Sequence, residues 1–181
     1  MTFNRLSSMQ TVADRIAATF VHRLFPSMCT PAYLACPDDE CADICRTTIA
    51  KAAKKKRVKT EVVDLRPDPA AQLDQVTARL RDINDRTSDD KQPWPTLLIL
   101  EGFDLLEGDK NDAPTFPFRS RFQFDTEHVW LFMGRDLQRL RRMFSDRRLP
   151  LYHAASNITL EWRGAVVNPL KRAISRRCET R

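Results

Sequence analysis

The chain has 181 residues and a mass of 21.0 kDa, which suits one domain with a short appendage. Hydrophobic residues supply 42% and charged residues 30%, so a core is available and wholesale disorder is excluded. Four glycines against eleven prolines exclude collagen-like and Gly-rich repeat architectures, and the net charge of +6 points toward an anionic partner.

In chain order, residues 5–25 predict a helix, with Leu6, Met9, Ala13, Ile16, Phe20 and Leu24 on one apolar stripe and Pro26 just beyond. The short apolar run Pro31–Cys36 predicts a buried strand. Pro37, Asp38 and Asp39 supply turn and N-cap chemistry, because an Asp side chain accepts from the free N–H groups of a first helical turn. A helix over residues 39–56 follows, with Cys41, Ile44, Cys45, Thr48, Ile49 and Ala52 facing inward. Lys59–Leu65 is a second strand, stopped by Arg66 and Pro67. Residues 69–86 form a helix with Leu73, Val76, Leu80 and Ile83 inward.

Thr96–Glu101 is apolar without alternation, as in a strand buried on both faces of a parallel sheet. Residues 106–127 read as a loop because of Gly108, Pro114 and Pro117. His128–Met133 is a fourth strand, and residues 136–146 form a helix packed through Leu137, Leu140, Met143 and Phe144. Asn157–Trp162 is a fifth strand, and Asn168-Pro169 opens a basic C-terminal helix. Strands alternating with helices predict an α/β fold. Its form is a three-layer sandwich, with a mostly parallel sheet of about five strands and helices on both faces. The expected organisation is an N-terminal helix over 1–27, a core over 28–162 and a basic tail over 163–181.

No apolar run nears the roughly 20 residues of a membrane helix, and the N-terminal stretch carries Asp14 where a secretory leader would be apolar. The expectation is a cytoplasmic protein with no membrane contact. Its five cysteines would then be reduced thiols.

Element order and spacing resemble the core of a P-loop NTPase of the AAA+/STAND type. The strand, turn and helix at 31–56, the strand ending in an acid at 96–101, and the strand at 128–133 carry the resemblance. So does Phe144–Tyr152, which is similar to the "PLY" turn before the last core strand of such ATPases. The resemblance implies a P-loop-like fold, and it covers about residues 28–162. It also marks what is missing. A phosphate loop needs glycines for backbone approach, a Lys for charge and a Ser/Thr for magnesium. The matching bend, Ala35–Ala42, contains Cys36, Pro37, Asp38, Asp39, Glu40 and Cys41, and none of those three residue types.

At the second acidic motif Glu101 takes the metal side and Gly102 replaces the acid that would polarise water, with Asp104 expected to point elsewhere. Gly134-Arg135 offers no Asn or Thr at the end of the sensor strand. The helical lid of such ATPases would be absent or reduced to residues 164–181. The resemblance therefore implies a catalytically inactive copy, a pseudo-ATPase. Such a copy would bind a protein partner, an active ATPase or itself, with no cofactor.

An alternative reading is nucleic-acid binding. From Arg135 to Arg181 the chain carries twelve Lys/Arg against four Asp/Glu, so the positive charge is concentrated there. Arg135, Arg139, Arg141, Arg142, Arg147 and Arg148, extended by Lys171, Arg172 and Arg176, would meet phosphates, or else simply solvate a helix face. Phe118 and Phe122, interleaved with Arg119 and Arg121 among Phe116 and Phe124, would stack on a partner or bases, or else complete the core. Cys29, Cys36, Cys41 and Cys45 lie close in sequence, but without a Cys-x-x-Cys pair the spacing favours buried cysteine over zinc, and no metal is expected. His22, His128 and His153 flank no nucleophile.

Overall fold

Two runs without a polar break make the middle of the sheet. Thr96–Glu101 is buried along its whole length, and so is nearly all of His128–Gly134. A strand can be apolar on both faces only where layers cover both faces, and that requirement sets the architecture. The computed structural model describes residues 9–18, 31–84, 96–108, 114–125 and 128–158. In chain order these form α1 (residues 9–18), β1 (Ala32–Ala35), α2 (Asp39–Lys55), β2 (Lys59–Asp64), α3 (Pro69–Asn84) and β3 (Thr96–Glu101). A 3-10 turn (Phe103–Leu106), α4 (Thr115–Phe122), β4 (His128–Gly134), α5 (Leu137–Ser145) and β5 (Ser156–Asn157) follow.

The five strands are all parallel, in the order β2-β3-β4-β1-β5. Their register aligns the C-terminal ends: Asp64 lies beside Glu101, Glu101 beside Met133, and Gly134 beside Ala35. Alternate strand residues feed two separate cores. On one face Leu34, Ile99, Leu131 and Met133 pack against α1 and α2. On the other Tyr33, Leu100, Trp130 and Phe132 pack against α3, α4 and α5. The three-layer α/β sandwich expected from the sequence is therefore present. No helix among the described residues is long and apolar enough to cross a membrane.

Most elements fall where the pattern puts them, with informative shifts. Within the described part of the first predicted helix, Met9, Ala13 and Ile16 are buried as expected, joined by Val12 and Ala17. On α2 the buried residues recur every fourth position, Cys41, Cys45, Ile49 and Ala53, whereas Ile44 and Ala52 lie at the margin of that core. The buried stripe is narrower than the sequence implied.

The segment read as a loop contains α4. Its prolines do not break it: Pro114 precedes the helix, and Pro117 sits in the first turn, where N–H groups have no intrahelical partner anyway. Four residues apart on α4, Phe118 and Phe122 turn into the core, in edge contact with Trp130 at 5.5 and 5.3 Å between ring centres. Strand β5 begins at Ser156, and the predicted strand end beyond residue 158 and the basic C-terminal helix lie outside the described residues.

Helix α5 shows how local chemistry fixes a start. The Asp136 carboxylate accepts from the N–H groups of Gln138 (2.8 Å) and Arg139 (3.1 Å). Leu137, Leu140, Met143 and Phe144 are all buried, as their spacing predicts.

Candidate functional site: a charge-filled cleft at the strand ends

The chain leaves β1 through α2 on one face of the sheet and leaves β4 through α5 on the other. Because β1 and β4 are neighbours, these departures open a crevice at their C-terminal ends, where α/β folds bind ligands. A cleft of about 200 Å³ occupies this place, lined among others by Cys36, Asp39, Glu101, Asp104, Gly134 and Arg135.

Its contents are ionic. Asp39, the first residue of α2, is gripped by Arg135 Nη2 at 2.5 and 2.6 Å and by Arg66 Nη1 at 3.1 Å. The Arg135 hydrogen bond, aided by the charge of Arg66, holds the Asp39 carboxyl below the usual carboxylate range. Arg66 also forms a two-pronged pair with Asp64, at 2.8 Å for each prong. Glu101 is almost fully buried and takes Arg46 Nη1 at 2.7 Å, with Arg66 Nη2 at 3.6 Å. Arg46 completes the chain with Asp43. Three arginines and four carboxylates thus neutralise one another across the mouth of the cleft, leaving one formal negative charge.

The remaining candidate residues of the bend fall into place around this network. Asp38 caps α2, its Oδ1 accepting from the Cys41 N–H at 2.8 Å. That N–H is one an incoming anion would need. Glu40 is exposed. Gly102 has a φ of +75°, and a Cβ there would lie 2.7 Å from Arg66 Cγ, so glycine is what lets Arg66 cross the cleft.

Asp104 is where the sequence reading fails. It points into the cleft rather than away from it. Only 4% exposed, it accepts from the Asp136 N–H through Oδ2 at 3.0 Å. It fits because residue 134 is glycine: a Cβ at Gly134 would lie 2.7 Å from Asp104 Cγ and closer still to Oδ1. Arg46 and Arg66 were likewise not singled out from sequence. Arg66 carried a signal, being placed just past a predicted strand end, but only the strand order brings it beside Asp39.

Some of the basic residues on and just after α5 have partners within the protein. Arg142 pairs with Glu107 at 2.8 Å, and Arg139 approaches the same carboxylate at 3.8 Å. Arg148 pairs with Asp146 at 2.8 Å, and Arg147 Nε donates to the Tyr152 hydroxyl at 3.3 Å. Arg119 lies 5.8 Å from the Phe122 ring centre. Phe118 and Phe122, named from sequence as contact residues, are core and cannot stack on a partner. Phe116 and Phe124 are the exposed pair, at 60% and 69%. Lys171, Arg172 and Arg176 lie outside the described residues. His128 is engaged structurally, its Nδ1 3.1 Å from Asp125, which also accepts from Trp130 Nε1 at 2.6 Å.

Behind the cleft, Cys36, Cys41 and Cys45 are all buried, with their sulfurs within 4.8 Å of one another. Hydrogen bonds from Cys36 and Cys41 draw the Cys45 thiol down to about 4 against the opposing effect of burial. Donating to Cys41 and Cys45, and burial, push Cys36 well above the ordinary thiol range.

No protein-family model, no curated protein and no solved structure matches this chain significantly.

Proposed function

We propose that the chain is a non-catalytic α/β module of AAA+-like descent, a pseudo-ATPase that acts through protein–protein contacts in a larger assembly. One observation carries the reading: at the start of α2, where a phosphate would be held, the Asp38 carboxylate already takes the Cys41 N–H, and the next carboxylate, Asp39, is held by Arg66 and Arg135. An entering triphosphate would have to displace that carboxylate from two guanidinium groups. Behind it the cleft is lined by two further acids, Asp104 and the arginine-paired Glu101, and not by the lysine that a phosphate loop supplies. The bend from Ala35 to Ala42 supplies no glycine, lysine or hydroxyl to offset this.

A module that binds no nucleotide retains its surfaces. Phe116, in the first turn of α4, and Phe124, just past its end, are exposed aromatic anchors of the kind that protein interfaces use. The partner is an active ATPase or a second copy of this chain. Of the α5 arginines, Arg142 is paired with Glu107 at 2.8 Å, which takes up one of the charges that a nucleic acid would use. Light scattering on the eluting full chain, alone and mixed with candidate ATPases, tests the proposal. A mass above the 21.0-kDa monomer is expected, reduced by Phe116→Ser combined with Phe124→Ser. A monomer at every concentration and in every mixture contradicts it.

A further inference from the structure

Sequence spacing set zinc aside for lack of a Cys-x-x-Cys pair, and the fold supplies what the spacing lacks. Cys41 and Cys45 stand four residues apart on the inner face of α2, one helical turn from each other. Cys36 reaches them from the end of β1. An apolar core that merely needed small residues has no reason to turn three sulfurs toward one point. With zinc–sulfur bonds of about 2.3 Å, tetrahedral geometry places sulfurs about 3.8 Å apart. The present separations, all within 4.8 Å, need only small side-chain rotations to reach that.

We propose that Cys36, Cys41 and Cys45 form a site for a thiophilic divalent cation, zinc, held by three thiolates behind the cleft. Charge selects the divalent ion. Three thiolates around a 2+ ion leave a single negative charge, whereas a monovalent soft ion would leave two in an apolar surrounding. That single charge lies beside the first turn of α2, whose dipole favours it. As the three Zn–S bonds form, the thiol protons are released to solvent. Cys36 lines the cleft and so offers the ion a way in. Zinc sites with three protein ligands keep a fourth position for water. The site is independent of the pseudo-ATPase reading, because it uses none of the arginine–carboxylate network.

Cobalt(II) titration of the reduced full chain tests the site, with zinc as competitor. The expected result is saturation at one equivalent, with thiolate-to-cobalt charge-transfer absorption that zinc abolishes. Cys36→Ser, Cys41→Ser and Cys45→Ser are each expected to weaken binding by more than about 100-fold, beyond the 10–100-fold that losing a hydrogen-bond partner of a ligand costs. Cys178→Ser is expected to leave binding unchanged. Since a serine in the core can unfold the chain, a second measurement uses the unaltered protein. Zinc is expected to slow alkylation of Cys36, Cys41 and Cys45 together at least tenfold, as mapped by peptide mass. Absence of charge-transfer absorption, binding indifferent to Cys45→Ser in a folded variant, or equal alkylation rates with and without zinc would each overturn the proposal.

Discussion

Phe103→Ala is expected to lower the free energy of unfolding by about 3–5 kcal/mol, the range for a large aromatic removed from a core that cannot collapse around the gap. Phe103 is fully buried at the start of the 3-10 turn. Its ring centre lies 4.5 Å from Phe132, 5.9 Å from Phe144 and 6.3 Å from Phe118, joining β4, α5 and α4 in one cluster. Those neighbours are anchored on three elements, so none can swing in to fill the space. The turn also leads out of β3 directly into the cleft wall, so the loss reaches Asp104 as well. Equilibrium unfolding in urea, with the slope unchanged, reads the effect as a shift in midpoint. A change below about 1 kcal/mol would mean the cluster is not packed as described.

Gly134→Val carries the second large effect, expected at roughly 2–4 kcal/mol from overpacking and a broken buried hydrogen bond. A Cβ at position 134 would lie 2.9 Å from Asp104 Cβ and 2.7 Å from its Cγ. The carboxylate has little freedom to yield, because it is buried and holds the Asp136 N–H at the start of α5. Asp104→Ala removes the Cγ and Oδ1 that clash. The two changes are therefore expected to be less than additive, with a coupling of about 0.5–3 kcal/mol in a double-mutant cycle. Strict additivity would separate the two residues and remove Asp104 from the cleft floor.

How much of this was legible in the sequence depends on how local each cause is. The strand Thr96–Glu101 was visible because burial on both faces requires an unbroken apolar run. The cap chemistry at Asp38 was visible because capping is a contact within three residues. Helix α4 was hidden by prolines that act as breakers only in a helix interior, and the i, i+4 spacing of Phe118 and Phe122 was the overlooked signal. The acidic bend Asp38–Glu40 reads in the sequence as a bare cluster of negative charge, and in the structure Asp39 of that bend lines the cleft. Its neutralisation by Arg66 and Arg135 depends on the ends of β2 and β4 meeting the start of α2. Arg135 lies 96 residues from Asp39, and no local pattern encodes that meeting. The Cys36–Cys45 grouping was visible as proximity in sequence, while the convergence of its sulfurs was not.

In the proposed pseudo-ATPase the chain's own carboxylates stand where a nucleotide phosphate would bind. Thermal unfolding with and without millimolar MgATP measures this most directly. An unchanged Tm is the expected result, in the wild-type chain at every nucleotide concentration. A rise of about 5–10 °C, as binding at 100 times the dissociation constant would give a domain of this size, would contradict it.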